Sequence, residues 1–504
     1  MSPPSSGLLD SVEDWDEIKT DLNSDWALNK EWKSYWKPAP AGGKIQQAIK
    51  RVRSFIRARS LPSPEKLRPT AYLDGLRGFA ALLVYFHHHE LWAHEISKQT
   101  PIFENGFGYE GNYYFVSLPG IRHFFSGGHY AVSTFFVISG YVLSLKPLTL
   151  IQAGEHVQLG DNIASALFRR WLRLFLPLIM TLLIYITTWH LFGIWVRDID
   201  QQKTWFAEIR EFYKEFKNFS FVYKAGGVPW LSHDRHLWSI PVEFRGSIVI
   251  YTAMQAFSRC TRTARLWCEV GLIVYFMYIT DGSHYAMFTA GMLLCDLDLL
   301  AKKGELPRFL ARLDSVKEFI FYHLLVFSLF LGGVPSENRE IDQLAKNRGW
   351  YYLSALNPQA VYDYKWFYLF WAAVFLVASI PRILWLKGFF ETRFCQYLGR
   401  ISFALYLVHG PVLWTLGDRL YLATGWQNGD LLKGIPHWAD KLLLPRTGPL
   451  GLEVSFLMPH LILLPLTFGL AELTHRFIDT PSVKFASWLY KKAVGESPSK
   501  QARS

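Results

Sequence analysis

Asp74, Arg77 and three successive histidines, His87, His88 and His89, sit inside one otherwise apolar stretch, YLDGLRGFAALLVYFHHHELW. Ionisable groups are costly inside a membrane crossing and mark a paired or functional site. On a helix turning 100° per residue, the step from Arg77 to His88 ends about 20° past three full turns. The two therefore share one face, about 16 Å apart along the axis. His87 points about 80° to one side of that line, His89 about 120° to the other, and Asp74 stays within about 40° of it. A guanidinium near one membrane surface and an imidazole deep toward the other suit a ligand with an anionic head and a long reactive arm. The plainer account is an Asp74–Arg77 pair, three residues apart, that only secures the helix end.

The elements that must hold these groups are apolar spans. Half of the 504 residues are hydrophobic, 19% are charged and 16% are aromatic. The 20 Trp and 25 Tyr suit a protein with two membrane–water interfaces. A crossing takes about 20 apolar residues, and ten stretches approach that: about 70–92, 130–147, 171–195, 244–259, 265–281, 284–300, 317–334, 366–386, 401–417 and 453–474. Every second connection is rich in Lys and Arg, for example Arg259, Arg262 and Arg265, then Lys302, Lys303, Arg308 and Arg312. That alternation follows the positive-inside rule and puts both termini in the cytosol. The net charge of +11 is thus explained by topology, not by nucleic acid. The expected fold is all-α, a polytopic integral membrane protein of about ten transmembrane helices.

Residues 1–69 read as a cytosolic tail with a basic amphipathic helix at about 44–59, suited to an anionic membrane face. Residues 70–485 form the membrane domain and 486–504 a cytosolic C-terminal tail. The acidic, polar N-terminus is unlike a cleavable signal peptide. Cys260, Cys268, Cys295 and Cys395 show neither CxxC nor Cys/His ligand spacing, so no metal site is expected. The 196–243 segment reads as a loop, and its sequon at Asn218 fits a lumenal position.

LDGLRGFAALLVYFHHH resembles the opening motif of the acyltransferase-3 family, an Arg followed by ten residues and a His. Further stretches resemble that family in order: FFVISGYVLS at 135–144, FRRWLRLFLPL at 168–178, HLWSIPVEFRGSIVIY at 236–251 and LGRISFALYLVHGPV at 398–412. HLWSIPVEFRG and ELTHRFIDTPSVKFASWL look like fungal members, which implies a role in secondary metabolism. Bacterial members often carry Glu-Gln-Phe-Tyr where this chain has Glu243-Phe244-Arg245-Gly246, a departure that argues against cell-wall acceptors.

The resemblance implies an O-acyltransferase in an endomembrane (endoplasmic reticulum or Golgi) or the plasma membrane. Acyl-CoA, with acetyl the favoured acyl, serves as co-substrate and nothing is bound permanently. The acceptor is a hydroxylated small molecule, a glycan or a lipid. His88 becomes the general base, and an acyl-histidine intermediate is the competing mechanism. Arg77 meets the donor. Arg170 and Arg173, three apart on one face, offer guanidinium forks to its phosphates or serve only as cytosolic anchors. Glu243 is expected on the lumenal side with His88, orienting the imidazole or binding acceptor, or else paired with Arg245 or Arg235. Asp74, His87, Ser139, Trp238, Ser239, Tyr406 and His409 are supporting candidates. A proton-coupled transporter could use the same Asp, Arg and His residues, but no repeat symmetry is visible.

Overall fold

The structure is a computed structural model and describes residues 67–94, 114–223, 229–336 and 340–495. The basic helix expected at 44–59 lies outside the described residues. Among the described residues every regular element is a helix. Lipid cannot bond backbone N–H and C=O groups, so a crossing segment must satisfy its own.

The elements that build the site are α1 (Ala71–Ala93), α2 (Gly128–Ala153), α3 (His156–Phe192), α4 (Trp205–Phe219), α5 (Ser239–Phe257), α6 (Arg262–Val274), α7 (Ser283–Lys302), α8 (Lys317–Leu331), α9 (Lys365–Ser379), α10 (Arg393–Val412), α11 (His460–Thr474) and α12 (Thr480–Val494). Large apolar side chains face outward, among them Ile184, Leu191, Phe319, Val326 and Leu461. Charged and imidazole groups such as Arg170, Arg265, Asp296 and His409 are buried. An apolar exterior over a polar interior is what a bilayer solvent selects.

Three stretches are long and apolar enough to cross a membrane on their own: Gly128–Ala153, His156–Phe192 and Val454–Val494. The pair Lys365–Arg382 and Leu384–Phe390, bent by 100°, would make a fourth. Each of the other expected crossings coincides with a helix that is shorter or more polar than this criterion.

Three boundaries differ from the sequence reading. α3 starts at His156, well before the expected 171, because nothing between Gly154 and Arg170 breaks a helix. Arg169, Arg170 and Arg173 therefore lie within one continuous helix, not at its entry. The chain bends by 100° at Ile383, after the 3-10 turn Ile380–Arg382 that follows α9, and the short helix beyond it tucks Phe390 against α1 at Gly75. The last helical run does not stop near the expected 474. A π-helical turn, His475–Asp479, leads into α12, and Pro481 falls in a first turn where no N–H is needed. The 196–243 segment also contains α4, whose N-cap Thr204 accepts from the Ala207 amide.

α1 packs on α10, and this crossing governs the site. Gly78 meets Gly399 backbone to backbone, and a Cβ at Gly78 would overlap the Gly399 amide. Small residues let helices approach this closely where no hydrophobic driving force exists between them.

Candidate active site

Arg77 and His88 do fall on one side of α1, and both reach α10. Arg77 Nε donates to Ser402 Oγ at 3.2 Å, and Nη2 donates to Asp74 at 3.0 Å. Asp74 also accepts from Arg68 at 2.5 Å. The expected Asp74–Arg77 pair is thus present, but it does not exhaust Arg77, whose side chain is 42% exposed.

The three histidines separate as 100° steps require. His87 is buried against Gly128, with His129 5.3 Å away between ring centroids. His89 is buried, with Nδ1 2.7 Å from the Tyr421 hydroxyl, beside His460. His88 alone keeps open surface. Its Nδ1 lies 3.0 Å from His409 Nε2, and its ring stacks on His236 with centroids 3.7 Å apart.

His236 comes from the 3-10 turn Arg235–Trp238 that leads into α5. Asp234 caps this turn, accepting from the His236 amide at 3.0 Å. The Tyr406 hydroxyl bonds both Ser239 Oγ, at 2.7 Å, and the His236 carbonyl. Three expected supporting residues, Ser239, Tyr406 and His409, therefore join one network with His88. Trp238 packs nearby on Trp366 and His284. Burial pushes the Asp234 carboxyl well above its usual range and holds the His236 imidazole well below its own, as do the neighbouring imidazoles. Both shifts favour uncharged groups around His88.

Glu243 is not beside His88. It lies one turn inside α5 and pairs with Arg170 of α3, while Ser139 of α2 donates to it at 2.8 Å. Neither Arg245 nor Arg235 is its partner: Arg245 donates to the Phe221 carbonyl and Arg235 to that of Asp198. The helical register turns Glu243 inward, where burial demands a counter-charge. Arg170 is buried, whereas Arg173, one turn on, is exposed and has no hydrogen bond or ion pair among the described residues.

Nitrogens of His88, His236 and His409 lie within 4.8 Å of one another, a grouping that could hold a metal ion. Spacing along the chain could not reveal it, since the three come from three elements. The His88 and His236 rings stack with their planes 29° apart. His236 and Asp234 are the site residues the sequence reading did not single out. Their only signal was the His two positions before Trp238.

A cationic α1 face, an imidazole with an open edge and a buried Arg–Glu bridge thus stand among these apolar helices. Residues 70–459 match the acyltransferase domain model of acyltransferase-3, and the chain belongs to that family. It is 30% identical to O-acetyltransferase PaAT-1 of Phomopsis amygdali over 462 residues, covering 85% of this chain and 86% of that one. It is 22% identical to acyltransferase clz18 of Cochliobolus lunatus over 86% of this chain and 98% of that one. It is 21% identical to acyltransferase R4 of a Phoma species over 85% and 97%. No solved structure matches the chain. The protein is an acyltransferase that transfers groups other than aminoacyl groups.

Proposed function

We propose that this protein takes an acetyl or other short acyl group from acyl-CoA on the cytosolic side and esterifies a hydroxyl of a small metabolite, glycan or lipid. One observation carries the reading: Arg77 and His88 share the α1 face that meets α10, about 16 Å apart along the helix. The donor's phosphates engage the free fork of Arg173 and the exposed part of Arg77. Glu243 orients Arg170 for the same anion. The pantetheine arm runs along α1 and brings the thioester to His88. His88 accepts the acceptor's hydroxyl proton as oxygen bonds to the carbonyl carbon. The carbon–sulfur bond then breaks, and the same proton goes to the departing thiolate. Such a base contributes about 10²–10⁴-fold, and orientation supplies much of the rest. A name that includes acetyl transfer, that of the Phomopsis relative, favours acetyl. Ten crossings with both termini cytosolic, in an endomembrane, complete the proposal.

Membranes containing the protein are given radiolabelled acetyl-CoA and a panel of terpenoid alcohols, phenols and sugars. Label passes to an acceptor with wild type and not with His88→Ala or Arg77→Ala. Equal transfer by the alanine variants would remove these residues from the site. Solute transport without label transfer would favour a carrier.

A further inference from the structure

Two contacts in series determine which nitrogen of His88 is free. The Tyr406 carbonyl oxygen can only accept, so its 2.8 Å contact places a hydrogen on His409 Nδ1. A neutral His409 then has a bare Nε2, which can only accept. The 3.0 Å contact therefore places a hydrogen on His88 Nδ1. A neutral His88 is left with a bare Nε2, and no hydrogen bond among the described residues occupies it.

We propose that His409 is a positioning residue that dictates this tautomer and so makes Nε2 the basic atom of His88. The inference rests on the reading of His88 as the base and specifies how that base is prepared. Solution imidazole exchanges its proton between the two nitrogens, and only one tautomer aims a lone pair at the open side. A neighbour that fixes the tautomer turns a mixture into one competent species. His409 is well placed for this. It is 1% exposed, it stands on α10, and its ring is anchored to the backbone of its own helix. His87 and His89 have other neighbours and cannot substitute.

His88 Nε2 takes the acceptor's hydroxyl proton while the carbon–oxygen bond forms. The imidazolium keeps its Nδ1–H on His409 Nε2, where a hydrogen bond to a charged donor is stronger than one to a neutral donor. Carbon–sulfur cleavage returns the Nε2 proton to the thiolate. His409 stays neutral throughout.

The test uses purified full-length protein and acetyl-CoA turnover, read as thiol release with water or the best panel alcohol as acceptor. His409→Leu removes the acceptor atom. His409→Gln puts an amide oxygen near the place of Nε2, able to accept from His88. The Leu variant is expected to lose roughly 10- to 100-fold in kcat, within what a whole base contributes, with KM for acetyl-CoA within about twofold. The Gln variant is expected to regain most of that loss. A purely structural role for His409 would not order Gln above Leu, so equal rates in the two, at any level, overturn the proposal. Activity lost with EDTA and restored by zinc would assign these imidazoles to a metal and overturn it too. If His88→Ala turns over like wild type, the base reading itself fails, whatever the His409 variants do.

Discussion

Gly410→Ala tests whether the imidazole stack is positioned as tightly as the structure draws it. Gly410 follows His409 on α10 and faces the Asp234–His236 turn. An alanine Cβ there would lie 2.8 Å from His236 Nδ1 and 3.0 and 3.1 Å from the Asp234 carboxylate oxygens. Ordinary contact begins at 3.4 Å, so the His236 ring must retreat by about 0.6 Å. The turn has little slack, because Asp234 holds the His236 amide and Tyr406 holds its carbonyl. The ring stacks on His88 at 3.7 Å, so His88 feels the displacement. A misplacement of 1 Å can cost about 10²-fold, and 0.6 Å on the same logarithmic scale costs roughly tenfold. Stability should move much less. Replacing Gly by Ala in a helix gains about 0.5–1 kcal/mol, which offsets part of the overpacking. The expected result is a roughly tenfold lower kcat for acetyl-CoA turnover with an unfolding midpoint close to wild type. Gly160→Ala, where nothing lies within 4 Å, is the control and should keep full kcat. Wild-type kcat in Gly410→Ala would refute the argument that His236 and His88 are held to a few tenths of an ångström.

Arg173→Ala and Arg170→Ala should fail differently. Arg173 is exposed without a hydrogen-bond partner among the described residues, so its loss should raise KM for acetyl-CoA roughly 10- to 100-fold, the worth of a charge-assisted bond, and leave the fold intact. Arg170→Ala strands Glu243 and should lower the thermal midpoint in detergent as well as activity. Asp296→Ala removes the partner of buried Arg265, which it holds at 2.7 and 3.0 Å, and should cost about 3–5 kcal/mol in denaturant unfolding. His94, just past α1, donates to the Glu90 carbonyl at 3.0 Å and to Glu453 at 3.3 Å. Burial alone would lower its pKa, but the bond to Glu453 and the nearby Glu90 raise it above the ordinary 6.5. A raised histidine stabilises fully below 6.5 and loses that contribution as pH climbs through the folded value. The thermal advantage of wild type over His94→Gln should therefore shrink between mildly acidic and alkaline pH; a constant gap would exclude a charged His94.

The α1 face was legible because helical periodicity is a local rule. Arg77 to His88 spans an uninterrupted run, and 100° per residue holds along it, so sequence alone separated His88 from His87 and His89. His409 was legible for the same reason that any imidazole within an apolar run is conspicuous. Glu243 was not. Its partner Arg170 lies 73 residues away on another helix, and the register that turns it inward depends on where α5 begins. A crossing begun at 244 starts five residues after the helix does, at Ser239, and so leaves Glu243 outside the helix instead of one turn inside it. The same dependence on boundaries hid the length of α3, whose polar first turns have no apolar signal. His236 was hidden more deeply. Nothing local distinguishes it from a loop histidine, and its place against His88 exists only because Gly410 leaves room for a turn from another element. Chemistry carried by one helix can be read from spacing, whereas the tautomer of His88 depends on a carbonyl and an imidazole of α10, 321 residues on. Helix packing, and chiefly the Gly78–Gly399 crossing, is therefore what brings a legible face of α1 against its partners on α10.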